Sequence, residues 1–259
     1  MSKNLNRKRF FLIRKRGVIY LFLLFSLSLA FISYNLQKNN LSNIFINLIH
    51  NFSINYDYQY KKSEISGLEK INKEIIKNKL YKYLNSSIFL LPLDKISREI
   101  SDINWVKNVK LTTNYKDTLI VNIQEYNPIG IYNFNNKNFY FDNVGKIIDQ
   151  VDSNFTVMNN LLVFEGPLSN LEAYKLLDII YELNLDQIIK IKKIIYVKKR
   201  RWDIITSNGT KLLLSEMQIK KSINNFLLIK KNLSETNFNN IIKFDLRDSN
   251  KTILTYKDD

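Results

Sequence analysis

The side chains that most often carry enzymatic chemistry are nearly absent from this chain. It contains no cysteine and a single histidine, His50. Thiol nucleophiles, thiolate metal sites and lipid-attachment cysteines are therefore excluded, and a Ser-His-Asp relay would depend on His50 alone. His50 lies in NLIHNFSINY without an HExxH partner, so we expect it to face solvent. We predict no catalytic residue, no metal and no cofactor.

The other polar groups form no recognisable reaction centre. The sequence has no Gly-rich phosphate loop, no metal-ligand spacing and no carboxylate pair at a characteristic spacing. In residues 190–202, the best candidate for a nucleic-acid surface, lysines alternate with Ile and Val. This alternation is typical of one solvated face of a strand. We therefore expect no enzymatic activity, no nucleic-acid binding and no small-molecule substrate.

Positive charge is concentrated at the start of the chain. The net charge is +15, and residues 1–16 hold seven Lys or Arg and no acidic residue. Residues 17–36, GVIYLFLLFSLSLAFISYNL, follow without any charge. An apolar helix of about 20 residues spans the hydrocarbon core of a bilayer, about 30 Å. The run is longer than the apolar part of a signal peptide and lacks a good cleavage site, so we predict an uncleaved transmembrane helix.

The cations also predict the orientation of this helix. Seven precede it, whereas Lys38 is the only one in the next 20 residues. The positive-inside rule then places the N-terminus in the cytoplasm and the bulk of the chain across the membrane. We predict a basic cytoplasmic tail at 1–16, a transmembrane helix at 17–36 and a juxtamembrane linker at 37–55.

Residues 56–128 show the order strand, helix, helix, strand, strand. Tyrosines alternate with polar residues at the start of 56–67 and predict a first strand. Asn72 is placed to cap a first helix and Asp94 a second, and each helix has one apolar stripe. Two apolar strand patterns then surround a polar turn at residues 114–117. This order predicts a small sheet covered by two helices.

The pattern becomes β-rich after Pro128, which lacks a backbone N–H and ends the preceding strand. Strand patterns recur through residues 129–259, and Asn208-Gly209 is the strongest hairpin turn of the chain. Two amphipathic helices interrupt the strands, at residues 168–184 and about 216–233. The composition is 45% hydrophobic, which is ample for the cores of two such domains.

Short motifs recur in a fixed order along this layout. W-V-x-x-V begins at Trp105, and V-x-I-x-E-x-x-P-I-G covers residues 121–130. They are followed by F-D-x-x-G from residue 141, W-x₅-N-G from residue 202 and F-D-L-R from residue 244. The residues that we expect to have structural roles in these motifs are Gly67, Trp105, Glu125, Pro128, Asp142, Gly145, Trp202 and Asp245.

The motifs, in this order, resemble those of the FtsQ/DivIB family of bacterial division proteins, and the resemblance covers nearly the whole chain. Two positions depart from the family pattern: Lys116 replaces a turn proline, and Gly130 stands where alanine is common. The implied fold class is α+β. It comprises a single N-terminal transmembrane helix, a POTRA domain (β-α-α-β-β) at 56–128 and a mainly antiparallel β domain with two helices at 129–259.

The resemblance implies a non-enzymatic bitopic scaffold of the divisome. It would link early cytoplasmic division proteins to periplasmic proteins of septal wall synthesis, with FtsB and FtsL as nearest partners. The chain stops at Asp259 without the long extracellular tail of many DivIB proteins. We therefore expect the FtsQ branch: a single-pass type II protein of a Gram-negative inner membrane at the division septum.

The resemblance also implies a partner site on the last strand, where a segment of FtsB docks in FtsQ. A terminal strand often lies at a sheet edge and can accept a further strand, unless it is an inner strand or is blunted by charge. Tyr256 falls where an aromatic anchor is expected, whereas Asp248 stands where an aromatic residue is often found. The predicted partner-binding residues are Arg200, Arg247, Lys251, Thr252, Ile253, Leu254, Thr255 and Tyr256.

Two other classes of function stay open. One is a POTRA-containing component of outer-membrane assembly or secretion, although such proteins usually carry several POTRA repeats and a barrel. The other is a membrane-anchored periplasmic wall hydrolase, because a two-carboxylate mechanism needs neither histidine nor cysteine.

Overall fold

The chain begins, where the structure describes it, with a helix. The structure is a computed structural model that describes residues 18, 20–34, 40–151, 161–248 and 250–257. Helix α1 covers residues 20–34, so the predicted tail at 1–16 and parts of the predicted span at 17–36 lie outside the described residues. Within the described ranges, no helix combines the length and the apolar character needed to cross a membrane.

The chain divides into two structural units. Unit 1 contains the chain up to Leu68, Asn72–Ile100 and Val109–Ile123. Unit 2 contains Glu69–Ile71, Ser101–Asn108 and the chain from Gln124 onwards. Two short segments from the first half of the chain thus belong to unit 2.

Most of the predicted linker at 37–55 is helical and forms α2 (Asn40–Asn55). This helix ends in a Schellman motif. The Tyr58 N–H donates to the carbonyl oxygen of Ser53 at 2.8 Å, and Asp57 has a φ of +62°. The last carbonyl groups of α2 therefore have partners beyond the end of the helix.

The strand predicted at 56–67 is wrong in its first half. Strand β1 (Lys62–Ser66) begins later, and before it Gln59 makes only an isolated bridge with Ser87. The alternating tyrosines have another cause, because the ring of Tyr58 stacks on α2 and the side chain of Tyr60 is buried. The alternating tyrosines therefore lie in the segment that connects the end of α2 to the start of β1.

The rest of unit 1 follows the predicted order of strand, helix, helix, strand, strand. After β1 come α3 (Lys73–Tyr81), α4 (Leu93–Ser101), β2 (Val106–Thr113) and β3 (Thr118–Glu125). The sheet order is β1-β3-β2, and β1 runs parallel to β3. As predicted, Asn72 caps α3 by accepting the Glu74 N–H at 2.9 Å. The predicted cap at Asp94 is wrong, because α4 already begins at Leu93 and Asp94 lies inside its first turn. Both helices and the central strand β3 have buried apolar residues: Ile76 and Leu80 in α3, Ile96 and Ile100 in α4, and Leu119, Val121 and Ile123 in β3.

A polar side chain fixes the hairpin between β2 and β3. The Asn114 side-chain oxygen accepts the backbone N–H groups of Lys116, Asp117 and Thr118 at 2.9–3.0 Å. Hydrogen bonds from Thr118 and then Asn114 lower the pKa of the Asp117 carboxyl. Asn114 thus orders the turn in which Lys116 replaces the proline of the family pattern.

Unit 2 is built on one sheet of nine strands. Its order is β12-β11-β10-β9-β8-β7-β4-β5-β6. The strands are β4 (Gly130–Phe134), β5 (Lys137–Phe141), β6 (Ile147–Gln150), β7 (Val163–Glu165), β8 (Ile191–Val197), β9 (Arg201–Thr206), β10 (Lys211–Leu214), β11 (Ile241–Asp248) and β12 (Lys251–Tyr256). The helices are α5 (Ser169–Glu182), α6 (Leu185–Ile188), α7 (Ile219–Asn232) and α8 (Glu235–Asn239).

The predicted description of this part as mainly antiparallel with two helices is only partly right. Five described strand pairs are antiparallel, but β4/β7, β7/β8 and β10/β11 are parallel. The physical reason is the helices: α5–α6 connect β7 to β8 and α7–α8 connect β10 to β11, and a helical crossover joins parallel strands. Four helices are described in unit 2, because each predicted helix is followed by a short second one.

The core of unit 2 lies between the sheet and its helices. Trp202 is buried and meets the ring of Phe164 edge-on at 5.8 Å between centroids. Farther along the sheet, Phe226 of α7 meets Phe244 of β11 in the same manner at 5.0 Å. Aromatic pairs of this geometry stabilise a core beyond their buried area. The buried side chains of unit 2 therefore form one continuous hydrophobic core that reaches Leu254 of β12.

A candidate partner-binding edge and the motifs that support the fold

Strand β12 lies at one end of the nine-stranded sheet. It pairs with β11 on one side, and no other described strand pairs with its opposite side. Backbone N–H and C=O groups of an end strand point outward at every second residue. Such a row can hydrogen-bond an added strand from another chain.

The side chains of β12 divide between the core and the surface. Leu254 lies opposite Phe244 of β11 and packs on the core, whereas Ile253 is 52% exposed. Two register irregularities interrupt the pairing in β11, one between Ile241 and Lys243 and one between Asp245 and Asp248. Tyr256 pairs with Ile241, at the start of β11 and before the first of them. Tyr256 is 38% exposed. The strand is therefore anchored by Leu254 and presents Ile253 and Tyr256 at the surface.

The predicted cation Arg247 is already bound to a carboxylate of its own strand. Its guanidinium donates to both oxygens of Asp245, with Nε 2.8 Å from Oδ1. This hydrogen bond is the main cause of the lowered pKa of the Asp245 carboxyl, and it raises the pKa of Arg247. The pair is therefore charged at neutral pH and orients Arg247 on β11.

The other predicted cation, Arg200, forms an ion pair with Glu216, with Nε 3.0 Å from the carboxylate. The strand registers place Arg200, Arg247 and Lys251 at the same end of the sheet. Strands β9 and β12 begin at this end, and strands β10 and β11 end there. Tyr256 is at the other end of β12, about 17 Å away along the strand. The predicted partner-binding residues thus form a basic end and an aromatic end, and their role in binding stays a prediction.

Glu125 binds three consecutive backbone amides. Its carboxylate accepts the N–H groups of Glu69, Lys70 and Ile71 at 2.9–3.2 Å. These residues precede the N-terminal cap of α3, so the carboxylate holds the segment that leads into that helix. These hydrogen bonds give a physical reason to expect the predicted structural role of Glu125.

Trp105 is buried in a polar and aromatic setting. Its indole N–H donates to Asp149 at 3.1 Å, and its ring meets Tyr140 at 5.3 Å between centroids. Asn104 donates to the other oxygen of Asp149 at 3.1 Å. Sequence reasoning missed Asp149, which lies 44 residues from Trp105 in a strand with no motif of its own.

Two motif glycines are required by close backbone approaches. Gly67 has a φ of +81°, and a Cβ there would lie 1.9 Å from the carbonyl oxygen of Ile123. Gly145 has a φ of +82°, and a Cβ there would lie 2.7 Å from the Cα of Leu171 in α5. Asp142 completes that turn by accepting the Lys146 N–H at 2.8 Å. The motif residues thus set turns that other elements pack against.

The departure at Gly130 also has a packing explanation. A Cβ at this position would lie 2.7 Å from the ring of Phe141, and both Phe141 and Phe164 are fully buried there. Pro128, two residues earlier, is buried between the end of β3 and the start of β4. Glycine therefore leaves room for two aromatic rings at the start of the sheet.

One cavity of unit 2 contains no carboxylate pair among its described lining residues. It has a volume of about 410 Å³ and lies beside the β9–β10 turn and helices α7 and α8. Glu235 is the one carboxylate among its described lining residues. His50 is exposed on α2, and the described residues contain no group of three His, Cys, Asp or Glu side chains that could hold a metal.

Comparison with known proteins agrees with this architecture. The family model described as "POTRA domain, FtsQ-type" matches residues 60–126, and "Cell division protein FtsQ/DivIB, C-terminal" matches residues 130–247. Among curated proteins, Cell division protein FtsQ of Rickettsia typhi is 25% identical over 78% of this chain and 74% of its own length. Those of Rickettsia bellii and Rickettsia prowazekii are 28% and 26% identical, each over 72% of this chain and 68% of their own length.

The class of protein is a bacterial division protein in which an FtsQ-type POTRA domain precedes a C-terminal domain, here a nine-stranded sheet with helices packed on it. The chain belongs to the FtsQ/DivIB family.

Proposed function

We propose that this protein is a non-enzymatic scaffold of the bacterial divisome that docks a partner of the FtsB type on the outer edge of β12. FtsB and FtsL are the nearest partners, and the protein links cytoplasmic division proteins to septal wall synthesis in the periplasm. The observation that carries the proposal is the place of β12 at the end of the sheet. An added strand gains backbone hydrogen bonds there with no need for a preformed pocket.

The charge of the edge favours a particular partner. Lys251 is exposed at the basic end of β12 opposite Asp248 of β11, and Arg247 is held on β11 by Asp245. Beyond residue 16 the chain carries 32 basic and 24 acidic residues, a net charge of +8. We therefore expect acidic residues in the partner segment near Lys251 and an apolar residue near Tyr256. Charge complementarity of this kind raises the association rate and sets the register of the added strand.

The proposal includes a membrane anchor at residues 17–36, with residues 1–16 in the cytoplasm and the chain after residue 36 in the periplasm. Its support is the sequence: an uncharged apolar run preceded by seven cations and no acid. Protease added to spheroplasts should digest the chain beyond about residue 40 and spare the N-terminal tail. Protection of the C-terminal half would contradict this orientation.

The docking site is tested by measuring the affinity of the full-length protein for the FtsB-like protein of the same organism. Tyr256→Ala should weaken binding by about 1–3 kcal/mol, or roughly 5- to 150-fold in Kd, if Tyr256 anchors the partner. Lys251→Glu should also weaken binding, more at low than at high salt, because exposed charges are screened.

Tyr174→Ala is the matched control, because Tyr174 is 51% exposed on α5. It removes the same side chain from a surface away from β12 and should leave Kd unchanged. Wild-type affinity in both Tyr256→Ala and Lys251→Glu would contradict the proposed site.

A further inference from the structure

Helix α2 has an apolar stripe but no charged residue. Five large side chains recur at the spacing i, i+1, i+4, i+5 and i+8, which places them on one side of a helix. Their exposed fractions lie between 37% and 62%. We call them the α2 stripe: Ile44, Phe45, Leu48, Ile49 and Phe52.

The other side of α2 is mainly polar, although Ile54 of the last turn also lies there and is 49% exposed. Asn43, Asn47, His50 and Asn51 recur at helical spacing there and are all exposed. Helices that lie in a membrane interface combine an apolar face with a polar face that is usually rich in Lys and Arg. Helix α2 has both faces but no Lys or Arg, so its binding to a membrane would depend on burial of the apolar stripe alone.

The last turn of α2 is attached to the rest of unit 1 by a different side of the helix. Ser53 and Ser87 are both buried, and their hydroxyl oxygens are 2.6 Å apart. Successive helical residues point about 100° apart, so docking through Ser53 leaves its neighbour Phe52 and the rest of the stripe at the surface. The attachment therefore fixes where the stripe faces on unit 1.

Aromatic residues extend the stripe onto the body of unit 1. The ring of Tyr58 lies 5.7 Å from that of Phe52 and 5.5 Å from that of Phe89. Phe89 is 44% exposed and Tyr56 is 66% exposed. Trp and Tyr, the class to which Tyr56 and Tyr58 belong, are enriched where protein meets the headgroup region of a bilayer. The exposed apolar surface of unit 1 therefore continues beyond α2.

Chain length places the start of α2 near the membrane. The proposed span ends at residue 36, and α2 begins at residue 40. Four residue steps extend over about 14 Å at most. Each headgroup layer is about 5–8 Å thick, so the first turn of α2 is held at or just outside it.

We propose that α2 lies in the outer interface of the phospholipid bilayer, with the α2 stripe among the upper acyl chains and unit 1 held against the membrane surface. The inference rests on the membrane span of the proposed function. A bilayer suits the stripe because it is within reach of the tether and takes apolar side chains without requiring a complementary charge. A second copy of the chain is the competing occupant, and the test separates the two.

The chain lacks cysteine, so single cysteines can be labelled without altering any other residue. The full-length protein is reconstituted into zwitterionic phosphatidylcholine vesicles with an environment-sensitive fluorophore at Leu48→Cys, in the stripe. Asn47→Cys, on the polar side, is the matched control, and Leu24→Cys in α1 tests the span. Quenching is measured with nitroxide-labelled lipids and with aqueous iodide.

We expect lipid nitroxides to quench the label at position 48 several-fold more than the label at position 47, with iodide showing the reverse order. Equal access of iodide to positions 47 and 48 would overturn the inference, as would protection of position 48 from both quenchers, which indicates burial by a second copy. Lipid quenching at position 24 but not at position 48 would overturn the interfacial position of α2 and leave the membrane span supported. Quenching at 48 but not at 24 supports surface binding and overturns the span, and quenching at neither overturns both.

Discussion

Glu125→Gln isolates the contribution of one carboxylate at nearly constant shape. Oε1 of Glu125 accepts from Glu69, Lys70 and Ile71, and Oε2 accepts a second contact from Lys70 at 2.9 Å. A glutamine keeps one neutral acceptor and directs its amide group at the Lys70 N–H. Hydrogen bonds to charged groups contribute about 1.5–3 kcal/mol and neutral ones about 0.5–1.5, so the total loss should be about 2–3 kcal/mol.

The assay is amide hydrogen exchange followed by mass spectrometry. A loss of about 2–3 kcal/mol should accelerate exchange of the amides at residues 69–71 by roughly 30- to 150-fold, since 1.36 kcal/mol is a factor of ten. Glu64→Gln is the control, because Glu64 is exposed on β1. Wild-type exchange at residues 69–71 in Glu125→Gln would refute the argument that the carboxylate holds this segment.

Two further predictions concern stability. Gly67→Ala should destabilise by about 2–4 kcal/mol more than Gly209→Ala in thermal or urea unfolding: both glycines have positive φ, but only at Gly67 would a Cβ clash with the backbone of Ile123. Equal destabilisation would contradict the steric argument. Because the hydrogen bond from Arg247 lowers the folded pKa of Asp245, their pairing should stabilise the fold above the unfolded pKa of about 3.9 and lose that effect as pH falls through the folded value. Arg247→Gln should therefore flatten the fall in stability below about pH 4, and an unchanged pH profile would contradict it.

Local signals predicted much of the fold. Asn72 and the turn with Asp142 and Gly145 are confirmed, because a cap or turn depends on residues only a few positions apart. The strand predicted from residue 56 is wrong, because alternating tyrosines can also occur just after a helix, where an aromatic ring packs back on that helix. Tyr58 shows this, since its partner Phe52 comes from α2.

Contacts between distant parts of the chain were beyond such signals. The parallel pairing of β10 with β11 depends on the intervening helices, and the partner of Trp105 is Asp149 in a strand with no motif. For the candidate site, the sequence and the family resemblance pointed to the last strand but not to its pairing. Neither of them predicted that Arg247 would be paired with Asp245 or that Arg200 would be paired with Glu216.

Imaging in dividing cells tests the scaffold most directly. Fluorescent fusions of the full-length protein and of its FtsB-like partner should form coincident bands at mid-cell. With Tyr256→Ala and Lys251→Glu combined, the protein should keep its band while the partner signal there falls sharply. A uniform distribution of the wild-type protein around the cell envelope, or a partner band unaffected by the double substitution, would contradict a division-site scaffold that docks its partner on β12.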